Sequence, residues 1–336
     1  DSTLNVTGSD LGGSAITVLD VEGKKTFQSV LTNQHLRNDN RSWEAHGGIT
    51  FDKKVIGVNA GGAIAGGYYE GTEGLHRLSR VGTLTGHTDL GEGKTTLHGA
   101  QVFGRSIWAR TEDLTIISPQ GTGRERGMQF SAGADVTAGY GGVSGSAHAN
   151  YSRLEGDYKT VNAESGARDA ADGLSGRDAR SQTLAENIHA GDAAYNARHA
   201  HLSGQSGFYA GADGFDIENK GEARLLGGII TSDKSAEQNG YNRFVTDTLH
   251  LENVENHSSS KGFAIAANAG YSKEQDEKTG EWKPGTLGSS RGATLHYDNQ
   301  RGTTYAAIGT TNITIRDAAQ QQAKTGHSVE DTIAQA

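Results

Sequence analysis

Leu225-Leu226-Gly227-Gly228-Ile229-Ile230-Thr231-Ser232 is the stretch that decides the fold, followed by a second hydrophobic strand at Thr248-Leu249-His250-Leu251-Glu252-Asn253. The phrase returns at Thr96-Leu97-His98-Gly99-Ala100-Gln101-Val102, followed by Asp113-Leu114-Thr115-Ile116-Ile117-Ser118. A weaker form opens the chain at Thr3-Leu4-Asn5-Val6-Thr7-Gly8-Ser9-Asp10-Leu11. Recurrence of this kind marks a stacked architecture, in which no single unit can bury its own apolar face. Three imperfect copies are expected, beginning near Thr3, Thr95 and Ala223.

Working outward, composition supports a thin, elongated β structure. The 336 residues include 49 Gly and only 2 Pro, with 34% hydrophobic and 7% aromatic residues, fewer than a compact enzyme of this size needs for its core. Disordered chains share that poverty but lack regular strand patterning, which this chain has. A net charge of −9 argues against nucleic-acid binding, which requires concentrated Lys and Arg. No apolar run is long enough for a transmembrane helix. With no cysteine, disulfides and thiolate metal sites are excluded, and the composition suits a protein that crosses an oxidising periplasm unfolded. The chain opens at Asp1 without a leader pattern and has Met128 as its one methionine, so it reads as an internal segment of a longer protein.

Each copy also carries a stretch of small residues alternating with period two, which favours strands. These stretches are Val55 to Ile64, Phe130 to Tyr140 and Phe263 to Tyr271. Their side chains suit flat hairpins lying across, or projecting from, the stack. Such a hairpin serves as a plain glycine-rich connection, the commoner use, or as a contact for lipid or a partner. In the second reading the candidate contact residues are Tyr68, Tyr69, Phe130, Tyr140, Phe263 and Tyr271. The Arg/Asp-rich region from 155 to 200 fits either a solvated helix or polar coils. After Ile315 the Ala/Gln-rich run Asp317 to Lys324 predicts a helix, with Gly326 as its stop. Ser328-Val329-Glu330-Asp331 then resembles a capping box opening a second one.

No catalytic constellation can be assembled. Gly288-Ser289-Ser290-Arg291-Gly292 matches a nucleophile elbow but lacks the apolar strand before it and the helix after it, and reads as a polar hairpin turn. Gly91-Glu92-Gly93-Lys94-Thr95 lacks the first glycine of a phosphate loop and leads into a strand. Gly121 to Gly127 misses the dinucleotide spacing by one residue. His199 and His201 would share one face of a strand, without a third ligand nearby. Asp213 and Asp216 read as turn-forming aspartates. Paired acids such as Glu112-Asp113 are not spaced as a glycosidase pair. No enzyme activity, metal or cofactor is expected.

Ser203-Gly204-Gln205-Ser206-Gly207-Phe208-Tyr209-Ala210-Gly211 through Phe215-Asp216-Ile217, Leu225 through Ser232, and Asn312-Ile313-Thr314-Ile315-Arg316-Asp317 with Lys324 to Ala334 together carry a resemblance. They resemble the hemagglutinin-repeat region of two-partner-secretion exoproteins, which include filamentous hemagglutinins and contact-dependent growth-inhibition proteins. The region from Asp157 to Ala200 departs from that pattern, being longer and richer in Arg and Asp. The resemblance implies an all-β fold: a right-handed parallel β-helix over 1–315, with inserted or projecting hairpins, and a helical exit segment over 316–336 leading toward a pre-toxin region. It also implies a secreted or cell-surface segment that transits the periplasm and has no catalysis of its own. Its expected partners are a two-partner-secretion outer-membrane transporter during export, the target cell's outer membrane or a surface receptor, and a C-terminal toxin in cis. The implied role is toxin delivery, with a passive adhesive stalk as the alternative.

Overall fold

A computed structural model describes residues 2–13, 15–19, 21–52, 55–161 and 204–336. The Arg/Asp-rich stretch 162–203, with His199 and His201, lies outside the described residues.

The chain winds as six successive coils. Coil one comprises β1 (Thr3–Thr7), β2 (Asp10–Leu11) and β3 (Ile16–Val18). Coil two has β4 (Lys24–Gln28), the long pair β5 (Val30–Asp52) and β6 (Val55–Arg77), then β7 (Ser79–Asp89). Coil three is β8 (Lys94–His98) and β9 (Ala100–Thr111). Coil four has β10 (Leu114–Ile117), the long pair β11 (Gly121–Gly139) and β12 (Gly142–Thr160), then β13 (Gly207–Ala210) and β14 (Phe215–Asn219). Coil five runs through β15 (Glu222–Leu226), β16 (Ile229–Thr231), a short helix α1 (Lys234–Gln238) and β17 (Arg243–Thr246). Coil six has β18 (Thr248–Glu252), the long pair β19 (Val254–Glu274) and β20 (Thr286–Thr304), then β21 (Ala307–Ile308) and β22 (Ile313–Ile315). Two helices follow, α2 (Ala318–Thr325) and α3 (Val329–Gln335).

Three sheets result. The first strands of the coils pair in parallel in chain order, β1-β4-β8-β10-β15-β18. The last strands of the coils form a second parallel sheet, with β9 central and β21 and β22 at its far side. The hairpins form a third, antiparallel sheet in the order β20-β19-β12-β11-β6-β5.

Parallel register stacks like on like. One column of the first sheet reads Val6, Phe27, Leu97, Ile116, Leu225, Leu251. The neighbouring column reads Leu4, Lys25, Thr95, Leu114, Ala223, Leu249. Opposite them the second sheet contributes Val81, Val102, Phe208, Ile230 and Ile308. The core is therefore one narrow apolar seam, which explains how so few hydrophobic residues suffice. Lys25 enters that seam fully buried because its ammonium reaches out to carbonyls, donating to Val21 O at 2.8 Å and also to Glu92 O.

The recurrent Leu-Gly phrase is the corner between the two parallel sheets. Gly227 sits there at φ 56°, and Gly8 and Gly99 occupy the same place in coils one and three at 53° and 73°. Each glycine N–H donates to the last carbonyl of the neighbouring coil's strand, at Gln28, Ile117 and Glu252. A Cβ on Gly227 would meet Val254 Cγ2 at 2.8 Å, so both backbone and space demand glycine. In coils two, four and six the chain does not turn at this corner; it runs straight on into a hairpin.

Two C-terminal helices form where the sequence predicts them, with Gly326 left-handed at the end of α2 and the Ser328 hydroxyl accepting from Asp331 N. Fully buried Gln321 presents an amide to the edge of β18, accepting from Leu249 N at 2.7 Å and donating to Leu249 O at 2.8 Å. Its side chain thus fills both hydrogen-bonding positions that another strand would take.

Asp216 corrects a sequence expectation. It lies within β14 rather than in a turn, bonded to Arg110 of β9 at 2.6 Å and Arg243 of β17 at 2.7 Å. Arg243 also reaches Glu218, which Arg316 joins at 3.1 Å, so an ionic ladder crosses the coils. Burial is the largest single influence on Asp216 and opposes its ionisation. The hydrogen bonds and charges of Arg110 and Arg243 together outweigh it and hold the carboxyl below its ordinary range.

Replacing Gly227 with Ala should cost about 1–3 kcal/mol from the left-handed backbone alone, read by denaturant unfolding; an unchanged midpoint would contradict the corner assignment. The Asp216 contribution is complete above the carboxyl's unfolded value and disappears as pH falls through the folded one. Between about pH 5 and pH 2 the wild type should therefore lose more stability than Asp216→Asn, and parallel pH curves for the two would refute the ladder's role.

Candidate functional site

Each long hairpin departs at the same corner of every second coil. Strands in a sheet lie about 4.8 Å apart, so a two-stranded hairpin is as wide as two coils are tall. Hairpins on alternate coils consequently meet edge to edge, and the three fuse into one sheet of six strands. The register between neighbours is unbroken from Gly121↔Thr160 at the root of the second hairpin to Gly139↔Gly142 near its tip.

The sheet is curled rather than flat. Directly paired residues share a face, so the registers assign every position. One face carries Phe130, Ala132, Ala134, Val136 and Ala138 on β11, beside Val143, Ala147, Ala149 and Tyr151 on β12. It continues through Val58 and Ile64 on β6, Ile265 and Tyr271 on β19, and Trp43 and Leu295 on the outer strands. Trp43 and Leu295 are 79% and 86% exposed. The other face presents Gln129, Ser131 and Asp135 on β11, with His148, Asn150 and Ser152 on β12. Around that polar face the strands curl to form a cleft of about 550 Å³, to which Asn40, Asn150 and Thr294 contribute. The sheet is thus polar on its concave side and apolar on its convex side.

On the convex side the apolar band has a charged lower border. Level with Arg126 stand Glu70, Glu155, Lys261 and Arg37. Arg126 bonds Glu70 at 2.5 Å, Lys261 bonds Glu155 at 3.3 Å, and Arg153 also pairs with Glu155. The Arg126 hydrogen bond holds the Glu70 carboxyl below its usual range, and those of Arg153 and Lys261 do the same for Glu155. Above this collar the four central strands carry no charge on the convex face from Phe130 to Val136, and Lys273 of β19 stands on that face at the level of Ala138. Within the band, cations occur on the two outer strands, at Arg41 and Arg291.

Charge is segregated across the sheet. Between the level of Gly121 and the tips, the described concave positions include Glu44, Glu73, Glu125, Asp135, Glu274 and Asp298 but no Lys or Arg. His46 of β5 reaches Asp135 of β11 at 2.9 Å across Gly61 of β6. A Cβ on Gly61 would lie 2.0 Å from Asp135 Oδ1, so the cross-strand pair exists only because β6 is bare there.

All six aromatic residues singled out from the sequence fall in this one sheet. Tyr68, Phe130, Phe263 and Tyr271 lie on the convex face, and Tyr140 stands 87% exposed in the turn at the tip. Tyr69 points the other way and donates to Glu125 at 3.0 Å. Sequence reading missed Trp43, Ile64, Tyr151, Leu287 and Leu295. Tyr151 packs against Phe263 with ring centroids 5.6 Å apart. Their period-two spacing was the available signal, and it is diluted on β5 and β20 by Arg, His, Asn and Ser. Gly288 to Gly292, expected as a polar turn, lies inside β20, where paired β19 supplies the backbone bonds that a turn would otherwise make.

The hemagglutinin-repeat family matches residues 1–132. Across 324 residues, 95% of its length, the chain is 25% identical to a tRNA nuclease CdiA of Yersinia mollaretii and spans 9% of that protein. Across 333 residues, 94% of its length, it is 25% identical to the toxin CdiA of Escherichia coli, again spanning 9%. A tRNA nuclease CdiA of Burkholderia pseudomallei is 34% identical over 141 residues, 39% of the chain and 10% of that relative. No helix among the described residues is long and apolar enough to cross a membrane, which leaves strands untouched by that criterion.

Changing Gly61 to Val should break the His46–Asp135 pair and speed amide exchange in β5 and β6 while leaving the stacked coils protected. Unaltered exchange in β5 would show that the close approach is not required.

Proposed function

We propose that this chain, a hemagglutinin-repeat segment of the CdiA and filamentous-hemagglutinin type of exoprotein, delivers rather than catalyses. The stacked coils act as a right-handed β-helical rod that carries the hairpin sheet to a target cell. There the convex face associates with the outer membrane, and the segment helps a C-terminal toxin in cis to cross it. The protein works at the bacterial surface after export through a two-partner-secretion transporter. Tyr68, Phe130, Phe263 and Tyr271 are the aromatic contacts of that face, with Tyr140 at its leading tip.

One observation carries this reading: an apolar convex band on the four central strands, uncharged from Phe130 to Val136, backed by a polar face and bordered below by a charged collar and above by Lys273. Transmembrane strands show this alternation, apolar outward and polar inward, over about 9–11 residues, and a lysine at the rim of such a band can extend its ammonium to the headgroups. A sheet meant only to hold a rod in water has no use for such an outward face.

Flotation with vesicles containing lipopolysaccharide tests it. The chain should rise with the vesicles, and Ala134→Arg, placing a cation on the convex face, should weaken association by about 2 kcal/mol or more, roughly 30-fold. Ser144→Arg, on the concave face of the adjoining strand, should float like the wild type. If the wild type stays with the soluble fraction, or both variants behave alike, the passive-stalk alternative takes over.

A further inference from the structure

The third hairpin continues past the end of its long strand pair. Beyond Glu274 the chain folds a small turn of its own before β20 begins at Thr286. Gln275 bridges Trp282, Asp276 N donates to Glu281 O at 2.7 Å, and Lys283 N donates to Glu274 O at 2.9 Å. Inside the turn the Asp276 carboxylate accepts from Lys278 N at 2.9 Å and Thr279 N at 3.1 Å, and Gly280 closes it at φ 72°. Gln275 N also donates to Gly141 O at 3.0 Å, which ties this turn to the tip of the second hairpin. The tip is therefore a folded element with fixed faces.

Those faces continue the segregation of the sheet. Directly paired residues share a face, and so do residues two apart along a strand. Lys273 pairs with Val143 on the convex face, so Gln275 and its partner Trp282 stand there as well. The Lys273 ammonium accordingly lies over the Trp282 ring, 5.6 Å from its centroid. Glu274, Asp276 and Glu281 take the concave side, where Lys283 is drawn to Asp276 at 3.5 Å. Next to Lys273 on the convex face come Tyr271 and its partner Leu287. Gly285 passes so close to the Tyr271 ring that a Cβ there would lie 2.2 Å from the phenol oxygen. One side of the tip is thus aromatic and cationic, and the other is acidic.

We infer that this tip seats among the phosphate headgroups of a bilayer, with Lys273 meeting phosphate and the Trp282 and Tyr271 rings at the boundary of the acyl region. This seat rests on the membrane reading above and fixes the depth at which the sheet rides. Three observations point to this occupant. Rings gather at the ends of the apolar band: at the levels of Ala132 and Ala134, strands β11, β12 and β19 carry only alanine, whereas Phe130 and Tyr151 stand below and Tyr271 and Trp282 above. Indole and phenol groups, apolar in body and polar at one edge, collect at the two boundaries of a membrane in this way. Charge is the second observation. Lys273 is the first charge beyond the uncharged stretch of the central strands, and it complements phosphate. The third is exposure, since Trp282 and Leu287 are 48% and 77% exposed on a tip whose reverse side carries the carboxylates. Those carboxylates hold their side in water, so the tip stops at the headgroups instead of sinking among acyl chains.

The three tryptophans of the chain report on three places. Trp282 marks the tip, Trp43 the band at the level of Ala132, and Trp108 the outer surface of the stacked coils. Chains keeping one tryptophan, with the other two replaced by Phe, are bound to vesicles of phosphatidylcholine and phosphatidylglycerol. The vesicles carry a nitroxide either at the headgroup or deep in the acyl chain. Trp282 emission should be quenched more by the headgroup nitroxide and Trp43 more by the deep one, with Trp108 as the reference in water. Quenching of Trp43 without Trp282 would overturn the tip seat while leaving the membrane reading intact. Trp282 quenched mainly by the deep label would overturn it too, since the tip would then lie inside the acyl region. Quenching of neither would hand the convex face to another occupant and remove the membrane reading along with the seat. In the same vesicles Lys273→Gln should weaken association about fivefold, whereas Lys283→Gln, on the opposite face, should bind like the wild type. Equal losses for the two variants would show general charge attraction in place of a seat, and contradict it.

Discussion

A hairpin two strands wide spans the same distance as two stacked coils, because both are set by the spacing of hydrogen-bonded strands. The rest of the molecule depends on that equality. If every coil projected a hairpin, the strands would crowd; if every third did, gaps would leave hairpins unsupported. Alternation is enforced at one corner. Gly8, Gly99 and Gly227 turn the odd coils with a left-handed backbone, and the even coils run on into β5, β11 and β19. The glycine corner also makes room, since a Cβ on Gly8 or Gly227 would strike Val30 or Val254 at the start of a neighbouring hairpin.

From that corner the energetics divide in two. The stacked coils hold a dry seam of Phe27, Leu97, Ile116 and Leu225, each fully buried, and burial of such side chains is worth roughly 1.5–3 kcal/mol apiece. The hairpin sheet holds no comparable seam. Its cohesion is the backbone ladder, the cross-strand pairs such as Tyr151 with Phe263, and the ion pairs of the collar. Much of its apolar surface faces outward. A sheet in that condition is suited to an environment other than water, and this links the geometry of the stacked coils to the proposed role.

Much of this was legible in the sequence. The Leu-Gly-Gly-Ile phrase marks the stacking column and its corner, and the alternation in Phe130 to Tyr140 and Phe263 to Tyr271 marks strands of the projecting sheet. Gly326 and the Ser328 cap foretold both C-terminal helices. Other features were hidden for physical reasons. Strand β5 carries Arg37, Asp39 and Arg41 on the face that Trp43 occupies further out, so its period is masked near the root. Gly288 to Gly292 carries turn residues inside a strand, and local composition cannot reveal that β19 lies alongside. The fusion of three hairpins arises from a match between coil height and hairpin width, which no local window contains. Asp216 was read as a turn because its partners Arg110 and Arg243 come from other coils.

The central claim is that the sheet meets lipid with its convex face and water with its concave face. Spin labels placed singly from Met128 to Gly139 on β11, in vesicles, measure this residue by residue through oxygen and nickel-chelate accessibility. Even positions, Met128 through Ala138, should favour oxygen, and odd positions, Gln129 through Gly139, should favour the chelate, with a period of two. A profile without that period, or one in which Phe130, Ala134 and Val136 are the chelate-accessible positions, would contradict it.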